Sequence, residues 1–316
     1  SIIIPLKQIV LVFFPTAETN ETFRTIILEF RLPKALTAIL TGAALSVSGL
    51  QMQTVFRNPL AGPFVLGISA GASLGVALFV LGFSSVLVFG LVSVTGAWTL
   101  AIVAWTGSFL VMLLVLYVSA RVNDIMTILI LGILFSSAVA AIVSILQYFS
   151  NESMLKAFVI WTMGSLGSVT NSQLSVLTPA ILAGIILALV KIKDLNAFLL
   201  GENYARSLGV RIIKSRIIIF LSTSLLAGTI TAFCGPIGFI GIAVPHICRV
   251  IFKTSNHLIL IPAVILTGSI VMLFSDILSQ LPGMQTTLPI NSVTAIIGIP
   301  VIMWMIIRNK KFTSVA

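Results

Sequence analysis

The stretch NPLAGPFVLGISAGASLGVALFVLGFSS, Asn58 to Ser85, decides the fold class. It opens a run from residue 58 to residue 120 that contains no charged side chain. A bilayer core of roughly 30 Å is crossed by an apolar helix of about 20 residues. The charge-free run therefore has room for two such helices, with the turn expected near Gly82 to Ser85. A membrane barrel strand would instead alternate polar and apolar residues over about ten positions. Here the apolar character is continuous, and a helix satisfies its own backbone in lipid.

The rest of the chain repeats the pattern. Of its 316 residues, 58% are hydrophobic and 8% are charged, and the mean hydropathy is +1.18. Nine stretches are candidate spans: 35–56, 64–83, 90–118, 125–148, 173–191, 212–233, 236–252, 258–277 and 288–307. With short loops between them, they describe an all-α polytopic membrane protein, a single domain over 1–316 with no soluble module. The opening SIIIPLKQIVLVFF is interrupted by Pro5 and Lys7. It suits the membrane interface better than the membrane core, and it lacks the basic head and cleavage site of a secretory signal. Residues 151–172, NESMLKAFVIWTMGSLGSVTNS, are too polar to span; their spacing predicts a short helix at the surface.

The net charge of +10 is not read as a nucleic-acid footprint. Lys and Arg of membrane proteins collect in cytoplasmic loops. One alternating set of loops holds 13 of the 18 basic residues, against Asp124, Asp194 and Glu202. The other holds Lys7, Arg24, Arg31, Lys34 and Lys156, against five acids. The first set is expected to face the cytoplasm. That puts the C-terminal RNKK inside and the segment 1–34 outside. The polar island GENYARSLGV, Gly201 to Val210, then falls in the longest inner loop, 192–211.

Small residues recur at helical spacing. Gly67, Gly71 and Gly75 are expected on one helix face, and Gly42, Ser46 and Gly49 on another. Such stripes let helices approach closely in lipid; ordinary packing and a pathway wall are both open readings. In CGPIGFIGIAVPHICR, Gly235, Gly238 and Gly241 with Pro236 and Pro245 predict a short, kinked, closely packed helix. His246 and Arg249 fall at its cytoplasmic end, as caps or interface contacts. His257 is read as a loop residue. No set of converging ligands suggests a metal. Cys234 and Cys248 sit 14 positions apart, a helical rise of roughly 21 Å that no disulfide closes. No G-x-x-x-x-G-K-[ST] loop grips a nucleotide, and no ionisable group sits at mid-membrane as in ion-coupled carriers. The energy source is therefore expected outside this chain.

Four blocks, in order, resemble the FecCD family of ABC-importer permeases. They are FRLPKALTAILTGAALSVSGLQMQTVFRNPLAGPFVLGISAGASLG, LLGENYARSLGV, GPIGFIGIAVPHICRVIF and SDILSQLPGMQTTLPINSVTAIIGIPVIMWMIIRNKK. The resemblance implies the ten-helix type II permease fold, with the first helix missing upstream of the nine candidate spans. It implies no enzyme activity and no cofactor in this chain; ATP and Mg belong to a partner ATPase. The implied partners are a second permease subunit, expected as an identical copy, two ATPase subunits, an external binding protein and the lipid bilayer of a bacterial inner membrane.

Roles follow from the same resemblance. RLPK gives Arg31 and Lys34 to docking of the binding protein, where the family has a second arginine; Lys lacks its bidentate fork. A third basic docking position is Gln280 here. The cytoplasmic gate lies near Asn123 and Asp124. The island resembles the element that couples to the ATPase: Gly201, Glu202, Tyr204, Ala205, Arg206, Leu208 and Gly209. Glu202 suits a first helical turn, and Gly209 suits a left-handed end cap. The expected cargo is an iron–siderophore or haem, moved by alternating access, with vitamin B12 or molybdate as alternatives. An autonomous secondary carrier and a membrane-embedded enzyme are the rival classes.

Overall fold

A computed structural model describes residues 4–13, 20–82, 97–122, 124–280 and 287–308. The described residues form helices α1 (Leu6–Phe13), α2 (Glu21–Thr25), α3 (Leu32–Val55), α4 (Ile68–Ala77), α5 (Ala97–Arg121), α6 (Ile125–Tyr148) and α7 (Glu152–Thr162). There follow α8 (Asn171–Val190), α9 (Ile192–Phe198), α10 (Glu202–Ser207), α11 (Ile212–Cys234), α12 (Ile240–Phe252), α13 (His257–Ser279) and α14 (Ile290–Arg308). A π-helical segment, Ile26–Arg31, joins α2 to α3, and another, Leu78–Gly82, extends α4. No strand occurs among the described residues.

Seven helices are long and apolar enough to cross a membrane: the continuous Glu21–Val55 unit, α5, α6, α8, α11, α13 and α14. Ile68–Gly82 and α12 are apolar but shorter. Each of the nine candidate stretches overlaps one of these helices. The surface helix expected within 151–172 is α7.

Two helices form the centre. In α3 and α11, 78% of the most apolar window is buried, against 17–39% in α5, α6, α8, α13 and α14. Helices α8, α11, α12 and α13 pack on α3, while α4, α5 and α8 pack on α11. A helix surrounded by protein has no solvent face to keep polar, which is why α3 shows no amphipathic stripe in sequence. Its glycines set the packing distance instead. A Cβ on Gly42 would stand 2.1 Å from the Gly268 carbonyl oxygen, and one on Gly49 1.7 Å from that of Gly241. Likewise Gly71 presses on Gly107 of α5, and Gly75 on Val103.

Several expectations are corrected. Gly67 does not share a helix face with Gly71 and Gly75. Pro63 starts a separate 3-10 turn, Pro63–Leu66, and Gly67 at φ +77 is the break between that turn and α4. Gly235, Pro236 and Gly238 are not on the short helix either. Gly235 at φ +76 ends α11, Pro236 has no N–H to continue it, and α12 starts only at Ile240. Gly241, Pro245, His246 and Arg249 remain on α12. Non-helical backbone at this depth needs protein partners; the Gly238 N–H donates to Asn291 Oδ1 at 2.9 Å. His257 is no loop residue but the buried first residue of α13. Asn123, residues 83–85 of the expected turn, residues 90–96 at the start of the candidate span 90–118, and residues 309–316 lie outside the described residues.

Candidate coupling and docking sites

One end of the bundle carries the C-termini of α3 and α8 and the N-terminus of α11; it holds most of the basic residues. Here loop 192–211 folds as α9 and α10. Gly201, at φ +99, separates them, and a Cβ on it would meet the Arg57 guanidinium at 3.5 Å. At the far end of α10 the Val210 N–H donates to the Ala205 carbonyl and the Gly209 N–H to the Arg206 carbonyl, both at 3.0 Å. Gly209 takes φ +84. This is a Schellman ending, for which glycine is the favoured residue.

A helix of 6 residues does not sustain itself in water. Two inward contacts hold α10. Ala205 is fully buried. Glu202 Oε1 accepts from Arg216 Nε at 3.1 Å and also from its Nη2. The Arg216 side chain on α11 is 1% exposed, that of Glu202 28%. A buried guanidinium is tolerable only with such a partner. With these two residues turned in, the opposite face points outward: Tyr204 is 54% and Leu208 59% exposed, and Arg206 is exposed too.

A cleft of about 560 Å³ lies beside α10, lined by Lys193, Leu208, Gly209, Arg211 and Lys214 among others. At its wall Lys191 Nζ and Ser215 Oγ donate to Asp194 at 2.7 and 2.6 Å. Burial disfavours the charged carboxylate of Asp194, but these two donors outweigh it and hold the group below its usual range. Nearby, Asp124 caps α6, accepting from the Met126 and Thr127 N–H groups at 3.2 and 3.0 Å.

At the opposite end Lys34 and Asp276 form an ion pair of 2.8 Å. Gln280 Nε2 donates to the same carboxylate at 3.0 Å. Two of the three positions that the resemblance assigns to docking therefore meet on one aspartate, and Lys34 already has a protein partner. Arg31 is exposed. A cavity of about 510 Å³ opens here, lined by Lys34, Gly164, Ser168, Asp276, Leu288 and Pro289 among others.

Buried polar groups in the central helices went unnoticed in sequence. Gln51 donates to Ser222 Oγ at 3.1 Å and accepts from Thr223 Oγ1 at 3.0 Å. Ser222 in turn donates to the Gly184 carbonyl at 2.8 Å, so the cluster joins α3, α11 and α8. Gln53 donates to the Ile242 carbonyl at 3.1 Å and accepts from Arg249, which ties α3 to α12. His246 is half-buried. Among the described residues no group of three or more His, Cys, Asp or Glu side chains is placed to hold a metal ion.

The FecCD transport family model matches residues 1–308. The chain is 34% identical over 294 residues to the hemin transport system permease protein HmuU of Yersinia pestis, covering 93% of this chain and 86% of that one. It is also 34% identical over 283 residues to the vitamin B12 import system permease protein BtuC of Salmonella typhi, covering 90% and 84%. Among solved structures, it is similar to a metal-chelate type ABC transporter in an inward-facing conformation. The TM-score is 0.81 at 28% identity, over 96% of this chain and 98% of that one. The chain belongs to the FecCD transport family. It is a permease subunit of an ABC importer, a multi-pass membrane protein that transports and is not an enzyme.

Proposed function

We propose that this permease moves an iron chelate of the siderophore or haem class inward, and that the exposed face of α10 receives the driving motion from the ATPase. The observation that carries the reading is the Glu202–Arg216 pair. It fixes α10 to the buried helix α11 while Tyr204, Arg206 and Leu208 stay free of the fold. A segment held tightly inward and left bare outward suits transmission of force. The basic loops support a cytoplasmic position for α10 by the charge rule, and the cationic cleft beside it suits an acidic partner surface. Asp124, with Asn123 beside it, is assigned to the gate at the same end. Alternating access between two copies of the chain then opens the pathway to one side at a time. The haem and vitamin B12 permeases are similar to this chain to the same degree, so vitamin B12 is the second cargo reading.

The test is Arg206→Glu. The side chain is exposed, so the subunit should fold normally. ATP-coupled uptake in the reconstituted complex should fall by about tenfold or more, as when a contact residue is reversed at the centre of an interface. Wild-type uptake would remove α10 as the contact.

At the other end, Arg31 is assigned to the binding protein, and Lys34 is shared between that protein and Asp276. Asp276→Ala should therefore free Lys34 from a pair whose side chains are only 22% and 12% exposed and tighten docking by about threefold or more, since even a surface pair is worth up to about 1 kcal/mol. Titration of the binding protein against the permease in nanodiscs measures it. Weaker docking would show that Asp276 itself makes the contact.

A further inference from the structure

Asn196, His257 and Thr54 belong to α9, α13 and α3, yet they meet. His257 is fully buried. Its Nδ1 lies 2.8 Å from Asn196 Oδ1, and its backbone N–H donates to the same oxygen at 2.8 Å. On the other side its Nε2 lies 2.8 Å from Thr54 Oγ1. The orientation of the Asn196 amide is fixed by its Nδ2, which donates to Asn256 Oδ1 at 2.9 Å. A carbonyl oxygen only accepts, so the ring proton sits on Nδ1. Nε2 is then an acceptor, and the Thr54 hydroxyl, whose oxygen also lies 2.9 Å from the Leu50 carbonyl, shares its one proton between that carbonyl and the ring. Both faces of the imidazole are used, one towards α9 and one towards α3.

Capping α13 needs none of the imidazole: Asn256 Oδ1 accepts the Leu258 N–H, and Asn196 Oδ1 accepts the His257 backbone N–H. The Thr54 contact is surplus to a cap, and it reaches the most buried region of the subunit. One residue before Thr54, Gln53 binds Arg249 and the Ile242 carbonyl of α12. A shift of α9 therefore has a direct polar route into α3 and from there into α12. Helix α10, three residues beyond α9, is tied separately to α11 by Glu202 and Arg216.

We infer that His257 is a positioning residue that transmits movement of the α9–α10 segment to the central helix α3. The inference rests on α10 being the ATPase contact. Two half-isosteres separate transmission from the local contact with Asn196. His257→Asn keeps a donor at the Nδ1 position and so keeps the side-chain contact with Asn196; His257→Gln reaches Thr54 and gives up Asn196.

The assay is ATP hydrolysis by the reconstituted complex of permease, ATPase and lipid, with and without saturating binding protein. Stimulation by the binding protein requires a signal to cross the permease. His257→Asn and His257→Gln should both hydrolyse ATP at the wild-type basal rate, with stimulation reduced about tenfold. Thr54→Val should do the same, and combining it with His257→Asn should add nothing, as for two breaks in one path. Wild-type stimulation in His257→Asn would overturn the inference and leave only a local tie between α13 and α9. Should that variant fail to fold, Thr54→Val decides alone, because it leaves the α13 cap intact; full stimulation there overturns the inference. Arg206→Glu in the same assay keeps the two readings apart. If it retains wild-type stimulation, the docking of α10 is wrong. If it loses stimulation while the His257 and Thr54 variants keep theirs, only the relay is wrong.

Discussion

Glu202→Leu is expected to lower folded stability by about 3 kcal/mol and to abolish most ATP-coupled uptake, because it leaves a buried guanidinium without its carboxylate. Arg216 is 1% exposed and sits on the helix at the centre of the subunit. Water cannot reach it to replace the lost partner without opening the packing between α10 and α11. Replacing both charges is a different matter. A buried ion pair exchanged for apolar groups of similar volume is often neutral. The double variant Glu202→Leu, Arg216→Met should thus recover stability within about 1 kcal/mol. Thermal unfolding in detergent reads both variants. A Glu202→Leu variant as stable as the wild type would show that the pair contributes nothing to the fold.

The second large effect is expected at Gly49. A methyl group there would stand 1.7 Å from the Gly241 carbonyl oxygen and 2.7 Å from its Cα. Both obstacles are backbone, so no rotamer change relieves them, and α3 must separate from α12. Gly49→Ala should destabilise by about 3 kcal/mol, the upper part of the usual overpacking range. At Gly62 the same substitution meets only the end of the Ile242 side chain, at 3.2 Å. Gly62→Ala should therefore give nearly wild-type yield of folded protein on size-exclusion chromatography, and Gly49→Ala little. Equal yields would contradict the close approach.

Reading such contacts from sequence works where the signal is local. The Gly42–Ser46–Gly49 stripe was legible because helical spacing alone puts it on one face, and lipid gives small residues a packing role. Gly67 misled because the same spacing says nothing about backbone continuity. Pro63 started a new turn, and the helix began four residues later than the pattern implied. The break before α12 was half visible in Pro236, but a left-handed Phe239, at φ +67, has no local signature. The caps of α10 could be anticipated from Gly201 and Gly209. Its anchor could not: Glu202 suggested a favourable first turn, and nothing in the sequence between them indicated Arg216, 14 positions on, as its partner. The Asn196–His257 contact spans 61 positions and the Thr54–His257 contact 203. Pairings of that range are set by tertiary packing, which composition and periodicity do not encode.

Leu208→Cys tests the central claim most directly. The position is 59% exposed, while both natural cysteines are buried, so background labelling is low. A membrane-impermeant maleimide is applied to intact cells and to inside-out vesicles, followed by a short bifunctional cross-linker on the assembled complex. If α10 is the cytoplasmic coupling element, the thiol is silent in intact cells, reacts in inside-out vesicles stripped of ATPase, and cross-links to the ATPase in the complex. Labelling from outside intact cells, or an assembled complex in which this thiol never reaches the ATPase, would contradict the account.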